Sequence, residues 1–527
     1  MSSEPTAHIV FFAIEAWGHT RALCTMALRL IEERLLYITF FTGPSFVKRV
    51  ENEISRNFGP DTEHLRELIR VVGLNSPGNF FSVKQLQVYM DVFAEAYQRI
   101  VDLQPVTCSV TGKEIKPVMA AEVIIMDFIC APALEAARKI SKKNVKIYAW
   151  MSTQASFMIY PNAPKHWGGR GDLRPKIMEE VATSGRPLEE VAHEVLILPT
   201  DKVVHTPGIP PMYEHELKPQ ALPLEEIQGF IMLMVQSFLD QCDGLILATA
   251  EPYETEAIAH ITEWYRETSR EVYTFGHLLP VNENATAGEQ KQSEKAEEIS
   301  EFLQKTLETD GPGSLLYLHT KETNSAVIDS FGSIYWSSIP ENIWAFLDVV
   351  MEKNIPFIFS HGSPFGIIPE EVAEKVNAYG KGLFSKWSPQ QTILSHPATG
   401  WFVTHCGQNS VMEAMALGVP MICWPYDVDQ STNAARLSFV LDVAYELFEV
   451  RTEPYGLKPI FRNGRTPIGT VEAIREEARS VLDNVFGEDG VRKRANIKKL
   501  QDAVLNTWSE DGPARRDLRR FVATLPK

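Results

Sequence analysis

Short apolar runs alternate along this chain with segments whose apolar positions recur every three to four residues. His8–Ile14 (HIVFFAI) is a continuous apolar run, and apolar positions at Leu23, Met26, Ala27, Leu30 and Ile31 then follow at helical spacing. Tyr37–Gly43 (YITFFTG), Val123–Phe128 (VIIMDF) and Val145–Trp150 (VKIYAW) repeat the strand-like pattern, with the helix-like PALEAARKI between the last two. Runs this uniformly apolar suit strands buried on both faces, so the alternation predicts β-α-β wiring and a parallel sheet covered by helices. Residues 240–250 and 271–280 read as the last strands of this first half.

Periodicity then stops. VNENATAGEQKQSEKAEEIS (281–300) is polar, charged and without an apolar period, which reads as an exposed linker. Beyond it the alternation restarts with SLLYL (314–318), IPFIFS (355–360), GLFSKW (382–387), GWFVTH (400–405) and PMICWP (420–425). Helical segments such as 343–353 and 410–418 separate them. The expected organisation is α/β, with two Rossmann-like, doubly wound halves. Residues 1–280 form the first half, 281–300 the linker, 301–504 the second half and 505–527 a final helix. In such folds a small molecule binds outside the carboxyl ends of the strands.

Composition narrows the classes. Lys plus Arg number 51 against 68 Asp plus Glu, a formal net charge of −17, which argues against nucleic acid and anionic membrane surfaces as partners. The apolar fraction of 44% is that of a globular protein. Six cysteines occur without a C-x-x-C pair, which disfavours a disulfide scaffold or a zinc site and fits a reducing cytoplasm. No apolar stretch approaches the roughly 20 residues of a membrane span, and the N-terminal run lacks a basic leader, so it reads as a strand.

The chemistry concentrates between Trp387 and Gln430, WSPQQTILSHPATGWFVTHCGQNSVMEAMALGVPMICWPYDVDQ. Here a strand ending at His405 passes through a glycine turn (Cys406, Gly407) into a helix predicted from Ser410. The free backbone N–H groups at such a helix start form an anion site. His405, Asn409 and Ser410 add side-chain donors. Glu413 either accepts from ribose hydroxyls or closes a capping box with Ser410. No Lys or Arg occurs from 387 to 430, so backbone dipoles, hydroxyls, amide and imidazole would hold a diphosphate. The chain contains neither a P-loop nor a G-x-G-x-x-G motif. Asp427 and Asp429 spell D-x-D, but two carboxylates are a weak metal signal and no metal site is expected.

This segment resembles the signature of the family 1 UDP-dependent glycosyltransferases in its W-x-P-Q, H-x-x-x-G, T-H-C-G-x-N-S, x-x-E, G-V-P, W-P and D-Q elements, with every spacing kept. The resemblance implies a GT-B fold, two Rossmann-like domains facing across a cleft. The acceptor would bind mainly in the first domain and the sugar nucleotide in the second, with the last helix crossing back onto the first domain. Carried over by position, Trp387 would stack on uracil and the Ser388 backbone would bond the base edge. Gln390 and Glu413 would hold the ribose. His405, Gly407, Asn409, Ser410 and Ser333 would surround the diphosphate, and Gln408, Asp429 and Gln430 the sugar.

The same resemblance implies that His19, at the head of the first helix, is the general base and that Asp127, at the end of VIIMDF, orients it. A neutral imidazole can take the acceptor's proton near pH 7, while a carboxylate on its other nitrogen fixes the tautomer. The expected activity is metal-independent, inverting transfer of a hexose, glucose foremost, from a UDP-sugar co-substrate to a small lipophilic acceptor. No further cofactor is expected, and the expected protein is a cytoplasmic monomer. Phe80, Phe81, Tyr89, Met90, Trp150, Phe157 and Trp167 are candidates for the acceptor pocket, or ordinary core. The alternative is an inactive binder of nucleotide-sugar or lipophile. Three departures from the family pattern stand out: Gln408 in place of a common Trp, Ala22 in place of a common Pro, and HTKETNSAVID (319–329) between segments that are normally almost continuous. His396 reads as structural.

Overall fold

The computed structural model describes residues 4–76, 82–142, 144–221, 225–280, 295–320, 337, 339–362 and 366–526. Its two large sheets are entirely parallel. In chain order, the strands of the first are His8–Phe12, Tyr37–Thr42, Ile69–Gly73, Val123–Asp127, Lys146–Met151, Gly244–Leu247 and Glu271–Thr274. Across the sheet they lie 3-2-1-4-5-6-7. Those of the second are Leu315–Thr320, Phe357–His361, Gly382–Ser385, Thr399–Thr404, Met421–Cys423 and Ala444–Glu446, lying 3-2-1-4-5-6. Both orders reverse between strands 1 and 4, which is where open α/β sheets leave a crevice for ligands.

Burial on two faces explains the near-continuous apolar runs. In the second sheet Leu315, Tyr317 and Phe402 pack into one core, while Leu316, Leu318, Trp401 and Val403 pack into another on the opposite face. Two strands escaped the sequence reading. Ile69–Gly73 carries a half-buried Arg70 on a sheet edge, and Ala444–Glu446 is only three residues long, so neither makes an apolar run.

Two boundaries differ from expectation. Residues 296–300, read as linker, open the helix Ala296–Thr309, whose Ile299 and Leu303 are buried in the second domain's core. Their apolar positions are too sparse among charged neighbours to show a period. His319 and Thr320, read as the start of an insertion, continue the strand Leu315–Thr320, with His319 in register with Ser360 and Thr404. The rest of the insertion, 321–329, and Ser333 lie outside the described residues.

The helix Pro513–Ala523 lies against the first sheet. Phe521 meets Tyr148 and Tyr273 edge-on, and Asp517 accepts a hydrogen bond from the Thr274 amide at 2.7 Å. Among the described residues no helix is long and apolar enough to cross a membrane, and all six cysteines are free and buried.

Candidate active site

The reversal point of the first sheet brings together the helix Trp17–Glu33, which follows strand 1, and the end of strand 4. His19 Nδ1 donates to Asp127 Oδ2 at 2.7 Å. Asp127 is 0% exposed, and its other oxygen accepts from the Ile129 amide at 3.2 Å. With Nδ1–H committed to the carboxylate, the neutral ring carries its lone pair on Nε2. The His19 side chain is 18% exposed and lines a cavity of about 250 Å³. Phe128 lies nearly parallel to the imidazole, and Trp150 Nε1 donates to the His19 carbonyl at 2.8 Å, steadying the head of the helix.

The reversal point of the second sheet holds the turn His405–Gly407. Cys406 adopts φ 67°, an uncommon value for a residue with a side chain, and Asn433 Nδ2 donates to its carbonyl at 2.9 Å. A Cβ on Gly407 would stand 2.5 Å from His405 Nε2, so only glycine lets the ring lie across the turn. The helix starts at Gln408, two residues earlier than expected, and no side chain caps it. Among the described residues the amides of its first turn therefore have no intrahelical or side-chain acceptor, and the capping box between Ser410 and Glu413 does not form. One helical turn from Asn409, Glu413 points the same way.

Those two side chains meet the first domain. Asn409 Nδ2 donates to the Gly18 carbonyl at 2.6 Å, and Arg21 Nη1 pairs with Glu413 Oε1 at 2.5 Å. Gln390 and Gln391 also donate to Glu413, at 2.5 and 3.2 Å. Arg21 and Arg56 both pair with buried Glu53, each at 3.2 Å, and Arg56 reaches Gln391. Burial raises the pKa of Glu53, but Arg56 and Arg21 outweigh it and hold the carboxyl below its ordinary value. Residues 387–430 contain no Lys or Arg, and Arg21 of the first domain brings a cation to Glu413. No motif marks Arg21 or Arg56, whose partners Glu413 and Gln391 stand 392 and 335 positions away, nor Glu53, which pairs with both arginines.

Trp387 is half-buried, its carbonyl accepting from Ser385 Oγ at 2.6 Å, and Ser388 is fully buried. Gln390 opens the short helix Gln390–Ser395. Asp429 Oδ2 accepts from the Gln154 amide at 3.1 Å, across the cleft. Gln430 Oε1 accepts from the Tyr426 amide at 2.9 Å, which leaves its NH₂ for other partners. Asp427 turns elsewhere, pairing with Lys218 Nζ at 3.3 Å and accepting from Gln228 Nε2 at 2.9 Å. The two carboxylates of D-x-D thus serve different neighbours. Among the described residues no group of three or more His, Cys, Asp or Glu could hold a metal ion.

His19, Gln408, Asn409, Asp429 and Gln430 all face the one cavity, whose remaining wall is mainly apolar. Phe157 lines it as expected. Tyr89, Met90 and Trp150 are instead fully buried core, and Trp167 packs edge-on against His260. Phe80 and Phe81 lie outside the described residues. The apolar wall comes from residues without aromatic signal, among them Ile129, Met158, Val204, Ile231 and Val235. His396 accepts from the Ala398 amide at 3.2 Å and lies away from the cavity.

Comparison with known proteins agrees with this architecture. Residues 322–448 match the profile of the family described as UDP-glucoronosyl and UDP-glucosyl transferase. The chain is 27% identical to UDP-glycosyltransferase eriJ of Hericium erinaceus, over 96% of each protein. It is 33% identical to an anthocyanidin 3-O-glucosyltransferase of Solanum melongena, over 42% of this chain and 46% of that protein. The fold is that of a transferase from Siraitia grosvenorii solved in complex with UDP, with a TM-score of 0.66 at 18% identity, covering 98% of this chain and 99% of that one. The fold is GT-B. The signature, the profile over residues 322–448 and a relative matched along nearly its whole length all support a family 1 UDP-glycosyltransferase.

Proposed function

We propose that the enzyme transfers a hexose, glucose foremost, from a UDP-sugar to a hydroxyl or carboxyl of a small lipophilic acceptor, with inversion at the anomeric carbon. The observation that carries this reading is the 2.7 Å His19–Asp127 pair, set at the wall of an apolar cavity that also receives the uncapped helix start at Gln408. In this reading Trp387 stacks on the uracil, the Ser388 backbone bonds its edge, and Gln390 and Glu413 take the ribose. The ribose hydroxyls share the Glu413 carboxylate with Arg21, which pairs with its Oε1. The diphosphate lies against the first-turn amides with His405, Asn409, Ser410 and Ser333, and the sugar hydroxyls against Gln408, Asp429 and Gln430.

The acceptor hydroxyl donates to His19 Nε2. As its oxygen forms the new bond to the anomeric carbon, the bond to the diphosphate breaks on the opposite face, and the proton passes to Nε2. Asp127 stabilises the imidazolium that forms and prevents the ring from flipping its tautomer. An α-linked donor then yields a β-glycoside and UDP. The diphosphate charge is met by amides and side-chain donors, so the reading needs no divalent ion and no cofactor beyond the UDP-sugar. A reducing cytoplasm fits the six free, buried cysteines.

The test is incubation of the purified protein with UDP-sugars and a pooled library of phenols, alcohols and carboxylic acids, followed by UDP release and by NMR of the product's anomeric proton. Product with a β linkage is expected. UDP binding without turnover on any acceptor would instead identify an inactive binder, and an α product would exclude direct displacement.

A further inference from the structure

Residues 199–221 belong to the first half by chain order, since two strands of the first sheet follow them. They form a small antiparallel pairing, Val203–Val204 with Met212–Tyr213, and a short helical turn, Glu214–Leu217. Their polar bonds run largely to the other half. The Gln220 amide donates to the Tyr426 carbonyl at 3.1 Å, and its side chain donates to the Pro425 carbonyl at 2.8 Å. Thr452 donates its amide to the Pro219 carbonyl at 2.9 Å and accepts from the Ala221 amide on Oγ1 at 3.2 Å. Buried Glu216 takes Arg462 at 2.5 Å and the Phe461 amide at 2.9 Å, while His215 Nε2 donates to the Pro459 carbonyl at 2.8 Å. Lys218 pairs with Asp427.

Links to the first half are fewer and wetter: Glu214 with Tyr160 at 3.1 Å and with half-buried Arg170 at 3.7 Å, and Lys218 with Gln228 at 2.9 Å. A segment follows the body to which its buried bonds tie it, so this one is mechanically part of the second domain. Its inner side nevertheless forms a wall of the cavity beside His19, through Val204, Ile209, Leu217 and Lys218. The loop that receives it, 425–430, ends in the residues assigned to the donor sugar. Gln430 holds the Tyr426 amide, and the Tyr426 carbonyl holds Gln220.

We propose that residues 199–221 are a strap that carries the acceptor wall with the donor domain, so that a bound donor sugar sets the acceptor cavity through Gln430, Tyr426 and Gln220. The two substrates then bind with positive coupling. This rests on the donor and acceptor assignments above. Linkage requires the coupling to be reciprocal: the donor tightens the acceptor by the same factor as the acceptor tightens the donor.

The test uses the full chain, the unreactive analogue UDP-2-fluoroglucose and 4-methylumbelliferone as the lipophilic probe. The analogue is expected to slow amide hydrogen exchange in 199–221 while leaving the helix Val83–Val101 unchanged. It is expected to tighten the probe about fivefold or more. Gln220→Ala should reduce that factor toward one and abolish the added protection, with binary affinity for the analogue kept within twofold. Thr452→Val, which removes a different anchor, should act in the same direction and serves if Gln220→Ala folds poorly. No binding of the analogue would overturn the functional reading and the strap with it. Normal binding with unchanged exchange in 199–221, or full coupling in both folded variants, would overturn the strap alone. The exchange readout needs no acceptor.

Discussion

Asp127 accepts two hydrogen bonds, one from His19 at 2.7 Å and one from the Ile129 amide at 3.2 Å, and Asp127→Asn can keep only one of them. If the amide oxygen faces His19, the NH₂ faces the Ile129 N–H, and two donors meet in a site that is 0% exposed. If the NH₂ faces His19, the ring must accept on Nδ1, which moves its proton to Nε2 and removes the lone pair needed to take the acceptor's proton. The first arrangement costs about 1–3 kcal/mol in stability for an unpaired buried donor, and it also takes the carboxylate away from the forming imidazolium. The second costs the base outright. Turnover is therefore expected to fall about 10²–10⁴-fold, toward the upper end where the tautomer is wrong. Asp127 makes no hydrogen bond to the second domain among the described residues, so UDP affinity should stay within about twofold. His19→Ala combined with Asp127→Asn should be little worse than His19→Ala alone, because the pair acts as a unit. Calorimetric UDP titration, single-turnover transfer to an aliphatic alcohol and a thermal melt of each variant would measure these effects. A folded Asp127→Asn enzyme that retained more than about a third of the single-turnover rate would refute the assignment.

Four further outcomes are expected. Trp387→Ala should weaken UDP binding by roughly 10- to 100-fold, from a stacking face worth about 1–3 kcal/mol, with a smaller effect on transfer at saturation. Gly407→Ala would place a Cβ 2.5 Å from His405 Nε2 and push the ring off the phosphate turn, so UDP affinity should drop at least about tenfold by titration. Transfer in excess EDTA should stay within about twofold of the untreated rate, and a loss restored by Mn²⁺ or Mg²⁺ would bring a metal into the donor site. Acid should destabilise the fold through two buried neutral histidines. Burial and then Arg70 hold His8 down to about 3, and burial and then Arg29 hold His277 down to about 4, both from 6.5. Below pH 6.5 the unfolded chain binds protons that the fold refuses, so stability is full above 6.5 and declines as pH falls toward the folded values. By pH 4.5 each histidine should cost about 2–3 kcal/mol in denaturant titrations, and His277→Gln should flatten that decline.

By itself the sequence determined what is local or periodic. Apolar runs named most strands because both faces of a parallel sheet must be buried, and those runs survive in the text of the chain wherever a strand is central. The residues from Trp387 to Gln430 stood out because they fit consecutive strand–turn–helix units and resemble the signature of the family 1 UDP-glycosyltransferases. His19 and Asp127 could be paired on paper because the family resemblance singles them out, one near the head of the first helix and the other at the last residue of a strand. Two edge strands lacked this signature, Ile69–Gly73 because Arg70 interrupts it and Ala444–Glu446 because it is three residues long.

Only the tertiary structure decided what faces what across the cleft. Arg21 and Glu413 are 392 positions apart, and no period or composition says that one pairs with the other. The close approach of the His405 ring to Gly407, and a helix that starts at Gln408, show only in the fold. The apolar wall of the cavity beside His19 comes from aliphatic side chains that look like any core until the cavity beside them is seen. Residues 199–221 read as part of the first half, yet the structure ties them to the second. Chain order is set by covalent bonds, but the body a segment moves with is set by where its buried hydrogen bonds and ion pairs end, and those form only when the two domains meet.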